Sequence, residues 1–389
     1  MDRLYTHVKL LGDREESALF VDEEGVVDMI TPMDALNSMV TVENLSSKTE
    51  VVDLQGDWVS LGGLDLQING ALGLPFPEVQ PGDRDKLAKI GQLLWEQGVN
   101  EYCPTLVTTS VENIRRSLNI LRDYQQDQPK NTAQITGLHL EGPCLNVQKR
   151  GAHPEQYLQP LSLEAVKSLL ADDRDWDAVT IMTLAPELDP TDDAVAYLRD
   201  RNVTVSLGHS LATANQAKNA FTAGATMVTH AFNAMPSLHH RDPGLLGAAL
   251  ATDGVRCGFI ADGQHVCPTM LQLLLRMGQG DRGLFLVSDA LSPLGLPDGT
   301  YPWDDREITV TDGTARLPDG TLSGTTLPLL DGVKNLVQWK LCDAETAIAL
   351  TTVSPYQAIG KSIDPVGQPA SHLLRWSHDG QSLNWCRLG

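Results

Sequence analysis

Apolar positions recur along the chain in two alternating rhythms. From about residue 61, eight short runs read as strands: 61–68, 100–107, 135–141, 178–186, 204–210, 227–233, 256–262 and 284–290. Amphipathic stretches lie between them. In 84–97, Leu87, Ile90, Leu93 and Leu94 share one helical face, and in 111–124, Val111, Ile114, Leu118 and Leu121 do the same. Eight strands separated by helices predict parallel pairing and closure into an α/β fold, a (β/α)8 TIM-like barrel over residues 61–360. An open doubly wound sheet is the structural rival, and no glycine-rich dinucleotide fingerprint supports it.

The two ends follow a different pattern. Residues 19–30 and 49–61 are short β-like pieces with turns, and 372–388 reads as a hairpin around Asp379-Gly380. These predict a small β-sandwich domain formed from residues 1–60 plus 361–389. Residues 300–326 read as a β-hairpin insertion after the eighth strand, with turns at Asp312-Gly313 and Asp319-Gly320.

Composition narrows the function classes. The chain has 389 residues, 42% of them hydrophobic, enough for a sizeable core. Its formal net charge of −21 repels nucleic acid and anionic lipid, so an anionic substrate must be met by a local basic cluster. The opening MDRLYTHVKL lacks the apolar stretch of a signal peptide, and no apolar run is long enough for a bilayer. Six scattered cysteines without a C-x-x-C pair read as reduced thiols. A soluble, cytoplasmic protein is expected.

In such a barrel the chemistry sits at the C-terminal ends of the strands. Those ends supply Asp65, Gln67 and Asn69; His139 and Glu141; His209; His230 and Asn233; Asp262 and His265; and Asp289. A carboxylate and two imidazoles with one open position describe a catalytic zinc site, and Glu141, His209 and His230 are the candidate ligands of one divalent ion per chain. Asp289 is the candidate general base beside a metal-bound water, and His265 can hydrogen-bond a substrate carbonyl. His139 reads as structural. Two basic loops, one with Lys149, Arg150 and His153 and one with His239, His240 and Arg241, suggest an anion-binding mouth.

The ordered segments LDLQING, GLHLEGP, KRGAHPEQY, GHS, THAFNAMPSLHHRDPGL, ADGQH, LVSDAL and LSGTTLPLLDGVKNL span most of the expected barrel. Each is weak alone; in this order the set resembles the N-acetylglucosamine-6-phosphate deacetylases of the amidohydrolase superfamily. That resemblance implies hydrolysis of the acetamide of N-acetyl-D-glucosamine 6-phosphate to glucosamine 6-phosphate and acetate. It implies metal ligation by Glu141, His209 and His230, and acid/base catalysis by Asp289. It also implies substrate contacts at Ala152, His153, Asn233 and Ala234. Further contacts are implied at Asp262, Gly263, Gln264 and His265, and at Leu322, Ser323 and Gly324. Arg241 matches the phosphate-binding arginine, which in such enzymes can act within its own chain or reach across a dimer interface, and a homodimer is expected.

Many amidohydrolases place a His-x-His pair at the end of the first strand, which helps hold a second metal. Gln67 and Asn69 stand there instead, and amides are poor zinc ligands, so the resemblance is to the single-metal branch. Cys144 follows the Glu-Gly-Pro turn, where aromatics are common, and has no assigned role. The alternatives are another N-acyl amidohydrolase, such as a D-amino-acid deacetylase or a dihydroorotase-like enzyme, or a catalytically silent barrel.

Overall fold

A computed structural model describes residues 2–39, 49–362, 364–378, 380 and 382–388. All eight expected barrel strands form: β1 (Gly63–Ile68), β2 (Val99–Val107), β3 (Leu138–Glu141), β4 (Val179–Leu184), β5 (Thr204–Leu207), β6 (Met227–Val228), β7 (Arg256–Phe259) and β8 (Leu284–Leu286). They pair in parallel in chain order from β1 to β8. The ring closes by a parallel bridge between Ile68 and Ala290, reinforced by Asn69 N–H donating to Ala290 O at 2.7 Å and Asp289 N–H to Gln67 O at 2.9 Å. The two helices read from periodicity form over Arg84–Glu96 and Val111–Gln125. The second starts at Ser110, whose Oγ accepts from Asn113 N–H, and it buries Ile114, Leu118 and Leu121.

Several strands are shorter than their apolar runs. Strands β5, β6 and β8 stop just before His209, His230 and Asp289, where φ is +49°, +30° and +47°. Extended pairing cannot continue through left-handed backbone, so the chain leaves the sheet where its polar residues begin. The expected strand 135–141 is interrupted at Gly137, where a Cβ would lie 1.8 Å from Thr180 Oγ1.

The barrel interior changes character along its axis. Leu64, Leu66, Ile181, Met227, Ile260, Phe285 and Val287 fill one level, together with Tyr356 from the helix Val353–Ala358. A hydrogen-bonded polar layer also lies inside: His139 Nε2 is 2.7 Å from Thr183 Oγ1, which is 2.7 Å from Thr229 Oγ1, itself 2.6 Å from Ser206 Oγ. Burial holds His139 down to about 4, and its Nδ1 lies 3.1 Å from Leu66 O. It is a neutral structural histidine, as expected.

Strands from both ends share one sheet, in the order Leu383–Arg387, Leu373–His378, Trp58–Leu61, Arg3–Leu10, Ser17–Val21, Val27–Pro32, with Glu50–Asp53 also on Arg3–Leu10. The strand Arg3–Leu10 divides between two half-sheets: Arg3–Thr6 pairs with Glu50–Asp53, and Lys9 and Leu10 pair with Trp58 and Val59. Val8, Leu19, Val27, Val59, Leu61 and Leu373 form their common core. The C-terminal strands pair antiparallel around the expected turn, of which Asp379 lies outside the described residues. A short helix, Met33–Met39, is an addition to the expected strands. Arg387 joins this unit to the barrel, its guanidinium 3.3 Å over the Trp95 ring and its Nη2 donating to Trp95 O at 2.8 Å.

The insertion is a four-stranded antiparallel meander rather than a hairpin: Gly299–Trp303, Arg306–Thr311, Thr314–Arg316 and Leu322–Thr325. Both expected Asp-Gly turns are present. The extra turn at Asp304-Asp305 has no glycine to announce it, although Asp304 takes φ +48°. No helix among the described residues is long and apolar enough to cross a membrane.

Candidate active site

The strand ends converge on a cavity of about 540 Å³ whose lining includes Asn69, Glu141, His153, His209, His230, His265 and Asp289. Backbone geometry at the ends of β5, β6 and β8 turns His209, His230 and Asp289 toward this space. Such strained positions persist only where the surrounding packing determines them.

Glu141 Oε1 lies 3.1 Å from His209 Nε2 and 3.2 Å from His230 Nε2, and the two imidazole nitrogens are 3.0 Å apart. His209 Nδ1 is 2.8 Å from Lys149 O and must donate to it, which leaves the Nε2 lone pair facing the carboxylate. Three acceptor atoms so close together need a cation or a proton between them. Burial opposes ionisation of Glu141, but His209 and His230 outweigh it and hold this carboxyl well below its usual range; burial likewise opposes charging of His230, which Glu141 nonetheless pushes up. The donor set fits a divalent ion.

His153 is a fourth neighbour. Together with Glu141 and His209 it forms a second group able to hold a metal, with ligand atoms within 4.8 Å of one another. Its Nδ1 receives Thr108 N–H at 3.3 Å and lies 2.8 Å from Thr108 Oγ1. With Nδ1 accepting from Thr108 N–H, Nε2 carries the proton and donates; with Nδ1 donating to Thr108 Oγ1, which itself donates to Glu141 O, Nε2 is free to ligate. Burial lowers it to about 3, so it stays neutral. The Thr108 contact had no signal in the sequence, because Thr108 follows the second strand as one polar residue among several.

Asp289 Oδ1 accepts from Asn69 Nδ2 at 2.8 Å and Gln67 Nε2 at 3.2 Å, and the same Gln67 nitrogen donates to Glu141 Oε1 at 3.1 Å. The Gln67 amide thus bridges the two carboxylates, and Asn69 adds a second donor to Asp289. Burial, and then the negative charge of Glu141, push the Asp289 carboxyl up to about 6. His265 directs Nδ1 at Asp262 Oδ2, 2.6 Å away, and Asp262 Oδ1 accepts from the N–H groups of Gln264 and His265. Gly263 packs against Trp339, and Asn335 Nδ2 donates to Ala261 O, so the loop leans on the helix Leu329–Gln338.

The remaining expected contacts divide. Ala152, His153, Asn233, Ala234, Leu322 and Ser323 line the cavity. Gly324 takes φ +149° close to Asp289 O. Arg241 is exposed, does not line the cavity, and has its Nη1 2.8 Å from His240 Nε2. The two basic loops do meet, through Lys149 Nζ donating to Met235 O at 3.2 Å. The insertion supplies an unforeseen wall: Trp303 and Asp304 line the mouth, and Arg306 Nη2 donates to Ala152 O at 2.7 Å.

The chain is 37% identical to the human N-acetylglucosamine-6-phosphate deacetylase over 316 residues, 79% of this chain and 76% of that protein. It is 33% identical to an N-acetylgalactosamine-6-phosphate deacetylase of Escherichia coli O157:H7 over 298 residues, covering 76% of this chain and 77% of the relative. The crystal structure of N-acetylglucosamine-6-phosphate deacetylase from Pasteurella multocida superposes with a TM-score of 0.82 at 28% identity, over 100% of this chain and 98% of that one. No family model matches the chain.

Proposed function

The chain belongs to the N-acetylglucosamine-6-phosphate deacetylase family, and from that premise we propose how its residues hydrolyse N-acetyl-D-glucosamine 6-phosphate to D-glucosamine 6-phosphate and acetate. The observation that supports this most strongly is the meeting, in one cavity, of the Glu141–His209–His230 cluster with Asp289 and His265.

One divalent ion per chain, Zn2+ by the preference of two imidazoles and a carboxylate, is held by Glu141, His209 and His230. When bound it polarises the acetamide carbonyl and acidifies the attacking water. Asp289 takes the water's proton as the oxygen bonds to the carbonyl carbon, then gives a proton to the nitrogen as the C–N bond breaks. His265, whose Nδ1 side is fixed by Asp262, lines the pocket and hydrogen-bonds the acetyl oxygen as negative charge develops on it. His153 Nε2–H, Asn233, the Ala234 N–H and the stretches Ala152 and Leu322–Gly324 position the sugar. Asp262, Gly263 and Gln264 act through the shape of the His265 loop.

Arg241 is the proposed phosphate ligand. Its exposure outside its own cavity supports a homodimer in which it serves the partner's site. All six cysteines are free, in keeping with a reducing, cytoplasmic location. The test is to incubate the metal-loaded enzyme with N-acetylglucosamine 6-phosphate and its C4 epimer and follow amine and acetate. Equimolar release, faster from the gluco sugar, is expected; release from neither would contradict the reading.

A further inference from the structure

Asn69 is 2% exposed, lines the cavity, and donates Nδ2 to Asp289 Oδ1 at 2.8 Å. Because a carboxylate only accepts, this contact fixes the amide's orientation, with Oδ1 turned away from Asp289. That Oδ1 is buried and has no hydrogen-bond partner among the described residues. A buried acceptor without a donor is costly and points to one that arrives with a ligand. Asn69 is locked on both sides by its backbone: its N–H donates to Ala290 O, and its O accepts from Phe76 N–H at 2.9 Å. The main chain is therefore fixed here, and the Nδ2 bond to Asp289 orients the amide.

We propose that Asn69 is a substrate-positioning residue whose Oδ1 accepts the acetamide N–H of the bound sugar. This rests on the deacetylase reading above. The N–H is the donor that an N-acyl substrate places beside its scissile bond and beside the acid that must reach the same nitrogen. With the N–H held on Asn69, the lone pair that develops as water adds to the carbonyl carbon is left to face Asp289. Asp289 then delivers its proton to that lone pair while the C–N bond breaks, giving amine and acetate. Asn69 thus selects amides by a donor that esters lack.

The experiment compares N-acetylglucosamine 6-phosphate with the 2-O-acetyl ester of glucose 6-phosphate, which has no N–H, in the metal-loaded wild type, Asn69→Ala and Asn69→Leu. The leucine fills the same volume without polar atoms, so one variant serves if the other folds poorly, as thermal melting reports. Loss of the Nδ2 bond to Asp289 should affect both substrates and move the acid limb of the pH profile upward. Loss of Oδ1 should lower the amide-to-ester ratio of kcat/KM by a further factor of roughly ten. An unchanged ratio alongside wild-type turnover of the sugar would overturn the inference alone. No turnover of the sugar by wild type would overturn the reading beneath it.

Discussion

His265 Nδ1 and Asp262 Oδ2 lie 2.6 Å apart in a buried pair, and Asp262 is in turn held by two backbone N–H groups of the same loop. Asp262, which the sequence resemblance places among sugar contacts, also holds the Nδ1 side of the His265 ring. Asp262→Asn offers that nitrogen an amide N–H in place of a carboxylate, which removes the anionic acceptor that holds the ring and its Nδ1 proton. We expect kcat to fall roughly 10–10²-fold with a smaller change in KM. Steady-state kinetics with wild-type kcat would count against it.

The metal cluster makes a stoichiometric prediction. Gln67 and Asn69 present amide nitrogens to Glu141 and Asp289, so the space of a second ion already holds neutral donors. Metal analysis of purified enzyme should give about one equivalent per chain. Chelation should abolish activity, and Glu141→Gln should lose both metal and turnover. Two tightly held ions would contradict the assignment.

In the proposed mechanism Asp289 accepts the water's proton in its ionised form. Its carboxyl is pushed up to about 6 by burial and by Glu141, so it gains a proton, and kcat/KM falls, as pH drops through that region. A cation bound at Glu141 moves this limb lower, not higher. Asp289→Asn should keep metal and fold and lose roughly 10²–10⁴-fold in kcat. A limb above about 7 in the metal-loaded enzyme would not fit.

Asp65 yields a stability prediction. It is 1% exposed, accepts N–H bonds from Gln67 and Ser288, and is raised to about 7, chiefly by burial. The folded state therefore binds more protons than the unfolded state between the ordinary carboxylate range and about 7, and stability falls as pH rises through that window. Asp65→Asn keeps the accepting oxygen and carries no charge. Its Tm should exceed that of the wild type by roughly 2–6 °C at pH 8, with the gain vanishing near pH 4. An equal shift at both pH values would contradict the origin proposed for it.

Much of the fold was legible because periodicity reports burial. Leu87, Ile90 and Leu94 face the core as their spacing requires, and the eight apolar runs each overlap a barrel strand. The polar residues at their ends were legible for the same reason, since a barrel leaves only that face for chemistry. What stayed hidden depends on backbone that local sequence does not specify. Nothing near His209, His230 or Asp289 announces left-handed φ, which the packing of neighbouring strands imposes. The tautomer of His153 depends on Thr108, 45 residues away. The third turn of the insertion is made by two aspartates without glycine. Arg241 read as a member of the mouth, but in the chain by itself the guanidinium remains outside the cavity.

Action on a phosphorylated N-acetyl amino sugar is tested most directly by the ratio of kcat/KM for N-acetylglucosamine 6-phosphate to that for N-acetylglucosamine. The net charge of −21 provides no long-range attraction for the anion, so discrimination must come from short contacts at the phosphate. Two charge-assisted bonds from a guanidinium to the phosphate, aligning the remote acetamide, correspond to a preference of roughly a hundredfold or more. The wild type is expected to show that ratio, and Arg241→Ala its collapse toward unity. Equal kcat/KM for the two sugars in the wild type would contradict it.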